Sequence, residues 1–189
     1  MGKNKIKAIG NWFEGITKLV RLVLSWNEID EIMKNAFEPL VRLEYLDLRH
    51  NRLRAVEEWH LASLTNLKYL HLSYNHISHI AGKSFSRLSR LHTLSLDHNK
   101  LTSVSTEWLQ GLSPTIVRLN NNQISTITAE SLSAMRRIRK LDFIYGQENP
   151  FRCTCALGSF KSLRSRVRFR DSLQCSYPPS LSGRKIADV

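Results

Sequence analysis

Three cysteines, Cys153, Cys155 and Cys175, and four arginines at alternate positions, Arg164, Arg166, Arg168 and Arg170, stand out for the chemistry their types and spacing allow. A Cys-x-Cys pair with one distant cysteine suits a disulfide framework better than zinc, since structural zinc takes four ligands with characteristic spacers. Disulfides imply an oxidising compartment, and an odd count implies a partner outside the sequence. The arginines alternate with Ser165, Val167 and Phe169. In an extended segment this lines four guanidiniums along one side and tucks Val167 and Phe169 inward. Such a stripe suits an anionic ligand, either a sulfated glycan, a nucleic acid or an acidic protein surface. The plainer reading is a solvated polar face. No aromatic platform interleaves with the arginines to stack bases, which disfavours nucleic acid.

The histidines offer less. His76 and His79 have H-x-x-H spacing, but they fall on a turn and its exit, where that spacing does not bring them to one helical side. No metal site is expected from them. No serine sits in a Gly-x-Ser-x-Gly elbow, and neither a phosphate loop nor a metalloprotease helix motif occurs. The chain is therefore expected to be no enzyme and to need no cofactor.

The elements that must position these groups follow from a repeat of 24 residues. Leu43, Leu46, Leu48, Asn51, Leu53, Val56, Leu61 and Leu64 form one unit, and Leu67, Leu70, Leu72, Asn75, Ile77, Ile80, Phe85 and Leu88 the next. Both read L-x-x-L-x-L-x-x-N-x-L. In L-x-L the two leucines share one side of a strand, so they point inward while the residue between them points out. The asparagine sits where the strand ends, where its amide can satisfy backbone groups the turn would leave unpaired. Phe37, Leu61, Phe85 and Leu109 fill the outer side of the core, and no coil can bury its apolar side without its neighbours.

Asparagine slots fall at Asn27, Asn51, Asn75, Asn99 and Asn122. Asn4, Ile6 and Ile9 read as the tail of an earlier coil. The fifth coil is one residue short, and Pro114 takes its opening leucine position. A sixth strand reads Ile138, Leu141 and Phe143, with Gly146 in the asparagine slot and Asn149 three residues late. The expected fold is an α/β solenoid, a horseshoe with a parallel sheet on its concave side. It divides into a truncated repeat (1–18), five full and one degenerate repeats (19–148) and an incomplete cysteine-containing cap (149–189).

Counting back from each asparagine identifies the concave face. The slot six before holds Arg21, Tyr45, Tyr69, Thr93, Ile116 and, in the last coil, Lys140. Four before come Asp47 and His71, two before Arg49, and immediately before Trp26, His50, Tyr74 and His98. Strands about 4.8 Å apart make five of them a face roughly 20–25 Å across, wide enough for a protein or glycan. Trp26, Tyr45, Asp47, Arg49, His50, Tyr69, His71, Tyr74 and His98 are the candidate ligand-binding residues, since tyrosine and tryptophan dominate contact surfaces. The plainer reading is that aromatics on a sheet pack on their cross-strand neighbours. His50 and His98 flank Tyr74 in one column, where protonation near pH 6 would alter binding, although the plainer reading is of ordinary surface histidines. Trp59 and Trp108, on the returning segment, are expected in the core.

The net charge of +12 is uneven: residues 136–189 carry 12 basic and 4 acidic side chains, residues 19–135 carry 12 and 11. No apolar run approaches the length of a membrane span. Met1 opens on Gly-Lys-Asn-Lys without a secretory signal or an amino-terminal cap, so the chain is expected to be a fragment or partial product.

The repeats, with Asn149-Pro150-Phe151-x-Cys153-x-Cys155, Cys175-x-x-Pro178 and Leu181-Ser182-Gly183, resemble extracellular leucine-rich repeat receptors with a cysteine-rich C-terminal cap. They look most like Toll-like receptor ectodomains. The resemblance implies a Cys153–Cys175 disulfide and a partner for Cys155 beyond the sequence. It implies innate immune recognition of a protein or glycan ligand, receptor dimerisation, and a place outside the cell, at its surface or in the endosomal lumen. Membrane attachment would come only through a span that follows the sequence. An adhesive protein of neurons or matrix, binding a cell-surface partner, is the alternative. A basic, glycan-binding secreted protein is a third.

Overall fold

The inward positions of the framework form one continuous core. A computed structural model describes residues 3–153, 168–169 and 173–186. Seven parallel strands follow one another in chain order: Arg21–Val23, Tyr45–Asp47, Tyr69–His71, Thr93–Ser95, Ile116–Arg118, Phe143–Tyr145 and Arg168–Phe169. The registers put Leu22, Leu46, Leu70, Leu94, Val117 and Ile144 side by side, all buried. Phe37, Leu61, Phe85 and Leu109 close the core from the returning side, as the spacing requires. On that side lie the short helices α1 (Glu58–Leu61), α2 (Thr106–Leu109) and α3 (Ala129–Arg137). Thr128 caps α3, its hydroxyl accepting from the Ser131 amide and satisfying one of the otherwise unpaired first-turn donors. The strand Ala8–Ile9 pairs in parallel with Glu31–Ile32, so the first residues stack on the Asn27 coil.

Each asparagine joins two coils. The Asn75 side-chain amide donates to the carbonyls of Leu72, in its own coil, and Leu48, in the one before, both at 3.0 Å. Its Oδ1 accepts from the Leu53 amide at 3.1 Å. Asn27, Asn51, Asn99 and Asn122 accept in the same way from Ile6, Ile29, Ile77 and Leu101. One side chain thus satisfies buried donors and acceptors on two turns at once.

The frame of the last coil departs from the sequence reading. Asn149 completes the ladder: it donates to Gly146 and Leu119 carbonyls at 2.9 Å and accepts from Ile124 at 3.0 Å. Gly146 therefore holds the final leucine slot, not the asparagine slot, and Phe143 takes the concave position assigned to Lys140. The coil is three residues longer than the regular repeat of 24, and α3 takes up the extra length on the returning side. Leu173 fills the space beside Gly146. A Cβ there would lie 3.1 Å from Leu173 Cδ2.

Trp108 is in the core, but Trp59 is 47% exposed, against expectation. It precedes the inward Leu61 by two residues, whereas Trp108 immediately precedes Leu109, and about 100° of helical rotation separates the two placements. Cys153 and Cys175 form the disulfide that the resemblance implied, with Cα atoms 5.6 Å apart. It ties the strand pair Phe151–Arg152 and Cys175–Tyr177. Cys155, Arg164, Arg166, Val167 and Arg170 lie outside the described residues.

Candidate functional site

Each strand ends in the same turn, and the residue before each asparagine takes a left-handed conformation. Trp26, His50, Tyr74, His98, Asn121 and Glu148 all have φ between 51° and 60°. Asparagine and glycine tolerate that region best, and bulky side chains meet a steric cost there. The asparagine ladder enforces the conformation in every coil, yet nothing in the ladder asks for an aromatic side chain. Four successive coils place rings there nonetheless.

Those rings stack. Trp26 lies 3.7 Å from His50, His50 4.3 Å from Tyr74, and Tyr74 4.0 Å from His98, with interplanar angles of 13°, 13° and 11°. The shared left-handed turn gives every side chain the same exit direction, and the strand spacing sets the stacking distance. Trp26 and Tyr74 remain 53% and 44% exposed. Because each inner ring is covered on both faces, the column offers a ligand its ring edges, the indole N–H, imidazole nitrogens and phenol hydroxyl.

A second column runs across the strands six positions before each asparagine. The Arg21 guanidinium sits 3.7 Å above the Tyr45 ring, Tyr45 meets Tyr69 at 6.1 Å, and Tyr69 meets His92, one position before the Thr93 slot, edge-on at 5.7 Å. The corrected frame extends the face with two further pairs, Arg118 over Tyr145 and Arg168 over Phe143, each at 4.9 Å. Tyr145 and Phe143 are absent from the sequence-derived set. Counting back from Asn149, as Leu141-x-x-Ile144-x-Gly146-x-x-Asn149, would have found them.

Between the columns lies a hydrogen-bonded floor. Asp47 is 2% exposed and takes both the Nε and Nη2 of Arg49, at 2.9 and 2.7 Å, together with the Arg49 backbone amide. Burial pushes the Asp47 carboxyl pKa up, but the Arg49 bonds outweigh it and hold it below its ordinary value. Ser73 donates to Asp97 at 2.7 Å, and His71 Nδ1 meets Ser95 Oγ at 3.2 Å. Burial, seconded by the Arg49 charge, lowers the pKa of both His71 and His50, so both imidazoles are neutral at pH 7. Lys68 pairs with Glu44 and Arg168 with Asp142, at 2.8 and 3.0 Å. Much of the charge on this face is thus met within it.

The nine concave candidates therefore gather on one surface. Arg168 stands apart at the C-terminal end, and the other three stripe arginines are not among the described residues. Residues 2–53, 42–101, 65–115 and 89–143 match the leucine rich repeat family. The chain belongs to the leucine-rich repeat family. Over 74 residues this leucine-rich repeat protein is 32% identical to Toll-like receptor 10 of Bos taurus, a stretch covering 36% of the chain and 9% of the receptor. The matched region is thus a small part of that relative. The solenoid also superposes on human 5T4 (Wnt-activated inhibitory factor 1, trophoblast glycoprotein) with a TM-score of 0.69 and 22% identity. That alignment covers all of this chain and 83% of the other, and at such identity the likeness is one of fold.

Proposed function

We propose that this leucine-rich repeat chain is the ligand-recognition part of an extracellular receptor of the Toll-like type, binding a microbial protein through its concave face. The stacked column Trp26, His50, Tyr74 and His98 carries the reading, because rings occupy backbone positions that disfavour them, with Trp26 and Tyr74 exposed and the two histidines half-buried between and beside them. Rigid aromatics with polar tips give large contact area at small entropic cost. Ring faces already covered by other rings favour a hydrogen-bonding protein surface over a flat ligand that would stack. The concave charges that meet one another add a reason to look away from a highly charged ligand on this face. The similarity to Toll-like receptor 10 supports the receptor type, and the Cys153–Cys175 disulfide supports an extracellular or luminal place. Among the described residues no helix is long and apolar enough to cross a membrane.

A second reading, adhesion to a fixed cell-surface partner, draws on the likeness in fold to 5T4 over the whole chain. One experiment separates the two. The immobilised chain is probed with secreted proteins of bacterial cultures and with solubilised surface proteins of mammalian cells, beside a Tyr45→Ala/Tyr74→Ala variant. Capture from the bacterial panel that the variant loses supports the receptor reading, and the same pattern from mammalian surfaces supports adhesion. Capture indifferent to the two tyrosines rules out the concave face for either role.

A further inference from the structure

Winding the chain into coils sorts its charges in a way the linear sequence hides. The turn that leads into each concave strand occupies the slots nine to twelve before the asparagine. With Asn149 as the last slot, these positions hold seven Lys or Arg residues across six coils and no Asp or Glu. The slots six to eight after the asparagine, at the start of the returning side, are the reverse in sign: Glu57, Glu58, Glu107 and Glu130 against Lys34 and Lys83. Lys18, Arg42, Arg90 and Lys140 all fall nine before their asparagines, and Arg87 and Arg137 twelve before theirs. All six are exposed.

Two exposed carboxylates, Glu14 and Glu38, border the row thirteen before their asparagines, and two more lie on its strand side seven before theirs. Glu44 pairs with Lys68, and Asp142 with Arg168. None of the six basic residues makes an ion pair with a described residue, and the Arg90 guanidinium donates only to the neutral Asn66 Oδ1, at 2.8 Å. Five coil steps of about 4.8 Å make the row roughly 24 Å long, running along the solenoid axis. Its cations come in three groups, separated by the uncharged Asn66 and Ser113 of the third and fifth coils.

We propose that this strand-entry edge binds a linear sulfated glycan laid along the solenoid axis. Arginine predominates, and its planar fork matches the oxygens of a sulfate in pairs. No exposed aromatic lies in the row to stack a base, which a single-stranded nucleic acid would use. The site is separate from the concave face, so it stands or falls without the receptor reading. It also differs from the alternating arginines of the cap.

The test measures the full chain on immobilised heparin, desulfated heparin and single-stranded RNA across a salt gradient. Two variants accompany it, Arg42→Ser/Arg90→Ser/Lys140→Ser on the edge and Arg164→Ser/Arg166→Ser/Arg170→Ser in the cap, with thermal melting confirming that each remains folded. Exposed charge contacts contribute roughly two- to fivefold each, so the edge variant is expected to lose on the order of ten- to a hundredfold in heparin affinity. Its salt dependence should flatten as well, while the cap variant stays close to the parent. An edge variant that binds heparin like the parent overturns the proposal. So does a larger loss in the cap variant, equal binding to desulfated heparin, or tighter binding to RNA than to heparin.

Discussion

Asp47 and Arg49 lie two residues apart on one side of the chain, and the arginine closes over the carboxylate with two side-chain bonds and its own backbone amide. The geometry buries a charge in the middle of the concave face and satisfies it there. Replacing Asp47 by alanine leaves the Arg49 amide without its side-chain partner and opens space in a buried position, and about 1–3 kcal/mol of stability should be lost, read by urea denaturation at pH 7. The lowered folded pKa makes this contribution full above the unfolded value of about 3.9 and erodes it as pH falls through the folded value. Asp47→Asn should therefore flatten the acid limb of the stability profile. An unchanged limb would show that the carboxylate is not held as described.

His71 titrates in a higher window. Its folded pKa is depressed, so below the unfolded value of about 6.5 the unfolded chain binds more protons than the folded one. The stabilisation is complete above that value and is lost as pH falls through the folded value. Melting temperatures of the parent should drop between pH 7.5 and pH 5. His71→Gln should reduce that slope, and a slope identical to the parent's would remove His71 as a cause.

Asn75 satisfies two carbonyls and an amide that water cannot reach. Asn75→Ala should cost about 2–4 kcal/mol, more than a surface substitution on the same turn. Asn75→Asp should do no better, because a carboxylate cannot donate to the Leu48 and Leu72 carbonyls. Chemical denaturation of both variants settles the order.

Gly146 and Leu173 share one volume between the last coil and the cap. Gly146→Leu restores the repeat pattern yet should destabilise by about 1–3 kcal/mol through overpacking. Leu173→Ala should also destabilise, by opening a cavity. The double variant should recover most of the loss, giving a coupling energy well outside additivity. Additive effects would mean that the two side chains do not compete for space.

The ladder asparagines and inward leucines were legible because they obey a strict period, and a period survives without any knowledge of contacts. The concave slots followed by counting, which brought Trp26, His50, Tyr74 and His98 into one column. Two readings went astray, one of them where the period itself changed. In the last coil α3 adds three residues, so counting forward from Asn122 landed on Gly146 when Asn149 was the anchor. On the returning side α1 and α2 both begin seven after their asparagines, but Trp59 falls eight and Trp108 nine after, and that single step of helical rotation left Trp59 outside and Trp108 inside.

Sequence alone determined the solenoid, its parallel face and the residues that share it, since local alternation and repeat length decide which side of a strand each residue occupies. Tertiary structure decided what those residues became. Left-handed turns stacked four rings, a neighbouring guanidinium kept a buried carboxylate ionised, a cap leucine replaced a missing repeat leucine, and coil winding gathered scattered arginines along one edge. The Arg49–Asp47 contact is local, but the burial of Asp47 and the other outcomes depend on groups about 24 residues apart in the chain, which meet only when one coil is laid on the next.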